Sequence, residues 1–478
     1  MKNNLNQNKI EGFEGEFLHP SFDIKDIILI LGFRYISKNR EEKEVFLIAK
    51  KNTLGFSTED SFELNGKRYF LEKQGRKLVR IEERWSLQEL KTFVEDYNSG
   101  KTNLSLNPEE IFKKIKELSK KYIELEKEID YSLITAWIIG TYFFSIFSAY
   151  PFLHIKAPKR SGKSQCLNFL KQVCFNGVKA RPTLPALGDT VDSLRGTYLI
   201  DQADSLKRKG NEDLVDILAD SYKKGGGKRR IVEFDKRSGR RVLEYETYSP
   251  KAFASVGELP EDLNDRCFII PLIRSNKNFP EPDEENENWR EVRGMFYKFA
   301  ISNYSTIENI YSIKKIEYRI NPEIIGREME LWTPLETLIE FCAKKELKEA
   351  RKKFLQLYGF TEYEPSEFEE EVVKAILGLF NEDESEKILS PKRISEEMDN
   401  EIFSSSDTPQ QRSAKVGWVI RKFNLASEKR PRTKEGVSYL FTKEKVEKNY
   451  KRVFKPASEH TSLTSQQENE LKFPDVGV

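Results

Sequence analysis

Histidine and cysteine are scarce in this chain. The only histidines are His19, His154 and His460, and the four cysteines, Cys166, Cys174, Cys267 and Cys342, form no CxxC pair. This excludes the common zinc spacings and a disulfide framework, and it suits a reducing, cytoplasmic setting. Net charge is nearly absent, since 80 Lys plus Arg face 78 Asp plus Glu, so any nucleic-acid surface must come from local clustering. The polar opening MKNNLNQNK lacks the apolar stretch of a signal peptide, and no export is expected. One apolar run, Tyr131 to Tyr150, approaches membrane length, yet it carries Ser132, Thr135, Thr141 and Ser145 and continues into another apolar segment. It reads as a buried helix, with no membrane partner.

What is present suits several folded domains, at about 100–200 residues each. Residues 1–105 alternate short β-type runs, such as Ile27 to Tyr35 and Glu44 to Ala49, with turn residues, and read as a small β-rich domain of no assigned role. From Asn107 and Pro108 the pattern turns helical. Residues 106–360 then alternate apolar strand candidates, at Phe152–Lys156, Thr197–Asp201 and Lys251–Val256, with helical stretches, which predicts an α/β core with a parallel sheet. A helical region follows and includes a helix from Pro334 to Leu347. Residues 365–455 show three short helices, a basic turn and a strand, the pattern of a winged helix, with Lys415, Arg421, Lys422, Lys429, Arg430, Arg432 and Lys434 as a basic surface. Residues 456–478 read as a disordered tail.

The chemistry is densest in the middle. The strand Phe152–Lys156 runs into Ala157-Pro158-Lys159-Arg160-Ser161-Gly162-Lys163-Ser164-Gln165, which opens a helix. Strand, GKS and helix together are the context of a P-loop, whose backbone N–H groups and helix N-terminus cradle phosphate. Lys163 would reach the β/γ oxygens of ATP and Ser164 would ligate Mg2+. Ala157 stands where such loops usually begin with glycine. A second element, Thr197-Tyr-Leu-Ile-Asp201-Gln202-Ala-Asp204, ends an apolar strand in a carboxylate, so that Asp201 is the other magnesium candidate. Hydrolytic ATPases of this kind usually follow it with glutamate. Here the residue is Gln202, an amide that orients water but is a poor base, which leaves Asp204 or Glu258 to supply a carboxylate. Ser255, at the end of a third strand, is a candidate phosphate sensor. Arg266 precedes the apolar run Cys267–Leu272 at a domain edge and is the best arginine-finger candidate; its bland alternative is a surface ion pair with Asp262 or Asp265.

The segments HIKAPKRSGKS, YLIDQAD, SPKAFASVGELPEDLNDRCFIIPL and GREMELWTPL resemble the ATPase domain of primase–helicase proteins of phages, plasmids and other mobile elements, over roughly residues 130–345. The resemblance implies an AAA+ P-loop ATPase core with a helical lid, related to superfamily 3 and minichromosome-maintenance helicases. It also implies a hexameric homo-oligomeric ring and, in Arg327, a sensor 2 arginine. Lys163, Ser164, Asp201 and Arg266 match the family pattern, and Gln202 departs from its acidic Walker B. Between the Walker B region and the sensor strand lie two β-type arms around a Ser-Gly turn, tipped by Lys236, Arg237, Arg240 and Arg241. In the helicases resembled, a hairpin there projects into the pore, where basic residues grip single-stranded or forked DNA. The expected function is an ATP-driven DNA translocase or helicase for mobile-element replication. An ATP-switched initiator or scaffold and a protein-remodelling ATPase are the alternatives.

Overall fold

The computed structural model describes residues 15–454 apart from 26–27, 37–41, 51–52, 60, 65, 72–83, 102–106, 182, 236–238, 273, 276, 321–323, 359–365, 382, 400–401, 405–406, 424 and 430–436. The disordered-tail expectation, Lys236, Arg237, Arg430, Arg432 and Lys434 therefore lie outside the described residues. The chain divides into two compact units, Met1–Tyr358 and Gly359–Val478.

The first unit begins with two small sheets. Strands β1 (Gly15–Leu18), β6 (Ser61–Leu64) and β7 (Lys67–Leu71) form one, in the order β1-β7-β6. Strands β2 (Phe22–Lys25), β3 (Ile28–Ile36), β4 (Glu42–Lys50) and β5 (Thr53–Ser57) form an antiparallel sheet in sequence order. Helix α1 (Leu87–Asn98) follows. This segment shares its hydrophobic core with the rest of the unit: Trp85 stacks on Tyr297 at 5.4 Å between centroids, and Phe33 meets both rings edge-on.

Helices α2 (Pro108–Tyr122) and α3 (Glu128–Gly140) lead into the central sheet. Asn107 caps α2 by accepting from Glu109 N at 3.0 Å, with Pro108 in the first turn, where a missing N–H costs nothing. The expected helix from Tyr131 to Tyr150 ends early, at Gly140. At that end Thr141 Oγ1 donates to Ile138 O at 2.7 Å and accepts from Phe175 N, and Gly140 packs so closely on Tyr150 and Leu338 that a Cβ would overlap them. Among the described residues, no helix is long and apolar enough to cross a membrane.

Five parallel strands then build the core, β8 (Phe152–Lys156), β9 (Val178–Lys179), β10 (Tyr198–Ile200), β13 (Lys251–Ser255) and β14 (Cys267–Pro271), in the order β14-β8-β13-β10-β9. β8, β10 and β13 are mostly apolar and almost wholly buried, as strands covered on both faces must be. The intervening segments are α4 (Lys163–Val173), α5 (Leu184–Leu194), α6 (Glu212–Asp220), the antiparallel pair β11 (Arg229–Asp235) and β12 (Gly239–Tyr245), and α7 (Glu261–Asn264). Helices α8 (Trp289–Ile320), α9 (Gly326–Ala343) and α10 (Leu347–Tyr358) complete the unit. The helix expected from Pro334 instead starts at Gly326, with Pro334 inside it; nearby, Thr333 Oγ1 donates back to Met329 O at 2.5 Å.

The second unit runs α11 (Glu367–Gly378), β15 (Glu386–Leu389), α12 (Pro391–Glu397), α13 (Pro409–Lys422), β16 (Glu428–Lys429), β17 (Tyr439–Thr442) and α14 (Lys443–Phe454). Its three strands are antiparallel in the order β15-β17-β16. Capping boxes at Ser366/Glu369 and Thr408/Gln411 fix the starts of α11 and α13, and Val372, Ile376, Ile394, Val416, Val419 and Phe441 supply its core.

Candidate nucleotide site

The loop between β8 and α4 sits at the carboxyl edge of the central sheet, where ligands of open α/β sheets bind. Gly162 caps α4 with φ +78°, a left-handed conformation that favours glycine, and Arg160 adopts φ 65° two residues earlier. Ala157, which replaces the usual first glycine, is not in the left-handed region, so its methyl group costs no backbone strain there. Lys163 Nζ folds back onto the loop and donates to Ala157 O at 2.7 Å and Pro158 O at 2.6 Å. Burial lowers its pKa despite the opposing charges of Asp204 and Asp201. Pro158, Lys159 and Arg160 are exposed, while Ser161 is buried with Oγ lacking a hydrogen-bond partner. Gln165 turns away from the loop, donating to Pro280 O at 2.9 Å.

Ser164 Oγ donates to Asp201 Oδ2 at 3.0 Å, across from α4 to the end of β10. Lys179 Nζ lies 3.1 Å from the same carboxylate oxygen. Burial alone would raise the Asp201 pKa, but the bonds from Lys179 and Ser164 outweigh it and hold the carboxyl below its usual range. A hydroxyl and an ionised carboxylate that already draw a cationic ammonium fit magnesium, which takes one or two protein oxygens and fills its octahedron with water and phosphate. Gln202 is left-handed at φ 55°; its N–H donates to Asp201 Oδ1 at 2.9 Å, and its Oε1 accepts from Arg181 at 3.3 Å.

β13 lies between β8 and β10, so its end faces both halves of the site, and Ala157 N donates to Ser255 O at 3.2 Å. The Ser255 side chain, however, is fully buried: Oγ donates to Gly257 O at 2.5 Å and meets His154 Nε2 at 2.6 Å. Burial pushes the His154 pKa down to about 4, and because the Ser255 hydroxyl already gives its proton to Gly257 O, the ring N–H is the donor to Ser255 Oγ. Asp204 instead faces the exposed end of β13, and Glu258 is paired with Lys156.

Arg266 and Arg327 lie elsewhere. β14 pairs Cys267 with Phe152, so Arg266 is beside the start of β8, about 13 Å of strand away from the GKS loop. Its guanidinium lies over the Tyr222 ring at 5.4 Å and donates to Asp262 O. Arg327 covers the same ring at 5.6 Å and pairs with Asp265. The structure thus brings the two arginines together and holds both away from their own chain's phosphate loop.

In the hairpin, Arg240 is exposed with its backbone opposite Phe234, and Arg241 stands opposite Glu233. Its exit is held by Lys251, a residue that sequence reasoning missed. The Lys251 ammonium is fully buried at the start of β13, donates to Thr247 O at 2.8 Å and to Ser249, and lies 5.4 Å over the Phe152 ring; burial pushes its pKa down to about 7. No local motif announces such a lysine, nor Lys179.

Among solved structures, the chain is similar to the SCCmec type IV Cch active helicase, at 10% identity over 88% of this chain and 96% of that one, with a TM-score of 0.35. It is also similar to the NrS-1 C-terminal region (10%, 86% and 96%, TM-score 0.30) and to a full-length MCM homologue from Methanopyrus kandleri (11%, 69% and 78%, TM-score 0.33). No protein-family model and no curated protein matches the chain.

Proposed function

We propose that this chain is an ATP-driven DNA translocase or helicase that works as a homo-oligomeric ring in the replication of a mobile genetic element. The observation that carries the reading is the convergence of Lys163, Ser164 and Asp201 at the carboxyl edge of a parallel sheet, with Ser164 and Asp201 in contact. In this reading Lys163 turns from the loop carbonyls to the phosphates, Ser164 and Asp201 hold Mg2+, and the bound metal neutralises charge developing on the phosphates. Gln202 favours a second reading, an ATP-switched initiator that hydrolyses slowly; stimulation of turnover by DNA separates the two.

Arg266 and Arg327, remote from their own loop, are read as serving the nucleotide of the next copy, hexameric by the family resemblance. Ile313, Ile316 and Ile320 support assembly: they lie exposed on the side of α8 opposite its buried Ile307, Tyr311 and Tyr318, and the exposed Ile325 follows just before Arg327. Replacing Ile316 and Ile320 by Asp is expected to yield monomers that still bind ATP, read by sedimentation; intact oligomers would remove this surface from the interface.

β11 and β12 are read as the DNA-gripping hairpin, and the second unit as a winged helix, a reading supported by its helix–strand–helix–helix–strand–strand order. Replacing Lys236, Arg237, Arg240 and Arg241 together by Ala is expected to weaken single-stranded DNA binding. The slope of log affinity against log salt should fall by up to about 3 at ~0.7 per lost phosphate contact. DNA-independent hydrolysis should survive. Wild-type affinity and slope in an oligomer that binds ATP would make the hairpin a solvated loop.

A further inference from the structure

The residue following Asp201 cannot act as a base, because the Gln202 amide has no accessible protonation and its Oε1 accepts from Arg181. Two carboxylates stand near enough in the fold to replace it. Glu258 is occupied: it forms an ion pair with Lys156, which the register places opposite Ser255. Asp204 is held differently. It is the second residue of the short 3-10 turn Ala203–Lys207 that follows Asp201 and Gln202, and its carboxylate accepts from the backbone amides Val256 N at 3.0 and 3.1 Å and Gly257 N at 2.9 Å.

Those two amides are the first beyond β13, and β13 lies between the strand that carries the phosphate loop and the strand that carries Asp201. The Asp204 carboxylate is therefore pinned at the carboxyl edge of the sheet between the two halves of the site, and it is exposed. The Lys163 ammonium feels its charge more strongly than that of Asp201. A carboxylate has about four acceptor sites, so the amides leave room for a water. Fixing by backbone donors supplies the preorganisation that a base needs.

We propose that Asp204 is the catalytic carboxylate of this chain and accepts the proton of the water that attacks ATP. The assignment rests on the ATPase reading above. The water oxygen bonds to the γ-phosphorus as the bond from that phosphorus to the β,γ-bridging oxygen breaks, and the electron pair leaves on ADP. The water's proton passes to Asp204 and then to solvent, giving ADP and inorganic phosphate. Gln202 is left to orient, and Glu258 to pair with Lys156.

The test is single-turnover hydrolysis by the full chain with single-stranded DNA, alongside the affinity for a fluorescent ATP analogue, the melting temperature and the identity of the retained nucleotide. Asparagine keeps a carbonyl for the Val256 and Gly257 amides, so Asp204→Asn should bind ATP and melt as wild type does. Its turnover should fall by about 100-fold or more, with ATP retained uncleaved. Glu258→Gln should keep most of its activity. Should Asp204→Asn fold poorly, Asp204→Ala with added formate replaces it, and partial restoration of turnover is expected. Wild-type turnover in Asp204→Asn, no effect of formate on Asp204→Ala, or loss on Glu258→Gln alone overturns the assignment while leaving the ATPase reading intact. A wild-type chain that binds no ATP overturns both.

Discussion

Lys163→Ala is expected to abolish ATP-dependent turnover and weaken ATP binding while the fold stands. The ammonium now spends its bonds on Ala157 O and Pro158 O, two carbonyls of its own loop, and neither is part of the packing that holds α4. That packing comes from Cys166, Leu167, Phe169, Leu170 and Val173 farther along the helix. Removing a preorganised cation that meets charge developing on phosphate costs about 100- to 1,000-fold in rate. The melting temperature should barely move, because a half-exposed lysine with only loop partners contributes little to stability. Titration with an ATP analogue and steady-state hydrolysis check both parts, and unchanged affinity with unchanged turnover would remove Lys163 from the site.

Arg266→Ala carries the other large effect. An arginine that meets the transferring phosphoryl group is worth about 1,000- to 100,000-fold in turnover, whereas an exposed ion pair is worth at most about 1 kcal/mol. The two readings therefore differ by orders of magnitude. Because β14 places Arg266 at the start of β8 and not at its end, the loss cannot come from the same chain's site. ATP binding by an isolated subunit should be unaffected, and turnover should collapse only in the assembly. Mixing Arg266→Ala subunits with Lys163→Ala subunits should restore some activity, since each supplies what the other lacks. No restoration in verified mixed rings would confine Arg266 to its contacts with Tyr222 and Asp262.

The parts of the site that were legible in the sequence are the local ones. An apolar strand, GKS and a helix follow one another along the chain, and an apolar strand ending in Asp201 announces itself in the same way. What stayed hidden depends on the strand order. Placing β13 between β8 and β10 is what brings the Val256 and Gly257 amides to Asp204 and the Ser255 hydroxyl to His154. Lys179 reaches Asp201 only because β9 is the strand beside β10. Likewise, nothing in the spacing of Arg266 and Arg327 says that both will lie over Tyr222. Hydropathy alone overran α3, because at its end Thr141 Oγ1 bonds both Ile138 O and the amide of Phe175, a residue distant in sequence. A proline read as a helix start proved to be a helix interior for the same reason: the buried Leu331, Trp332, Leu335 and Leu338 around Pro334 hold that turn together through packing.

In the proposed function a magnesium–ATP site on this chain drives work on DNA. Its most direct test is the rate of ATP hydrolysis by the wild-type chain in magnesium buffer, measured with and without single-stranded DNA and repeated with Lys163→Ala. Magnesium-dependent hydrolysis is expected that rises when single-stranded DNA is added and disappears in Lys163→Ala. Hydrolysis that persists in Lys163→Ala, or a wild-type rate indifferent to every single-stranded and forked DNA offered, would contradict it.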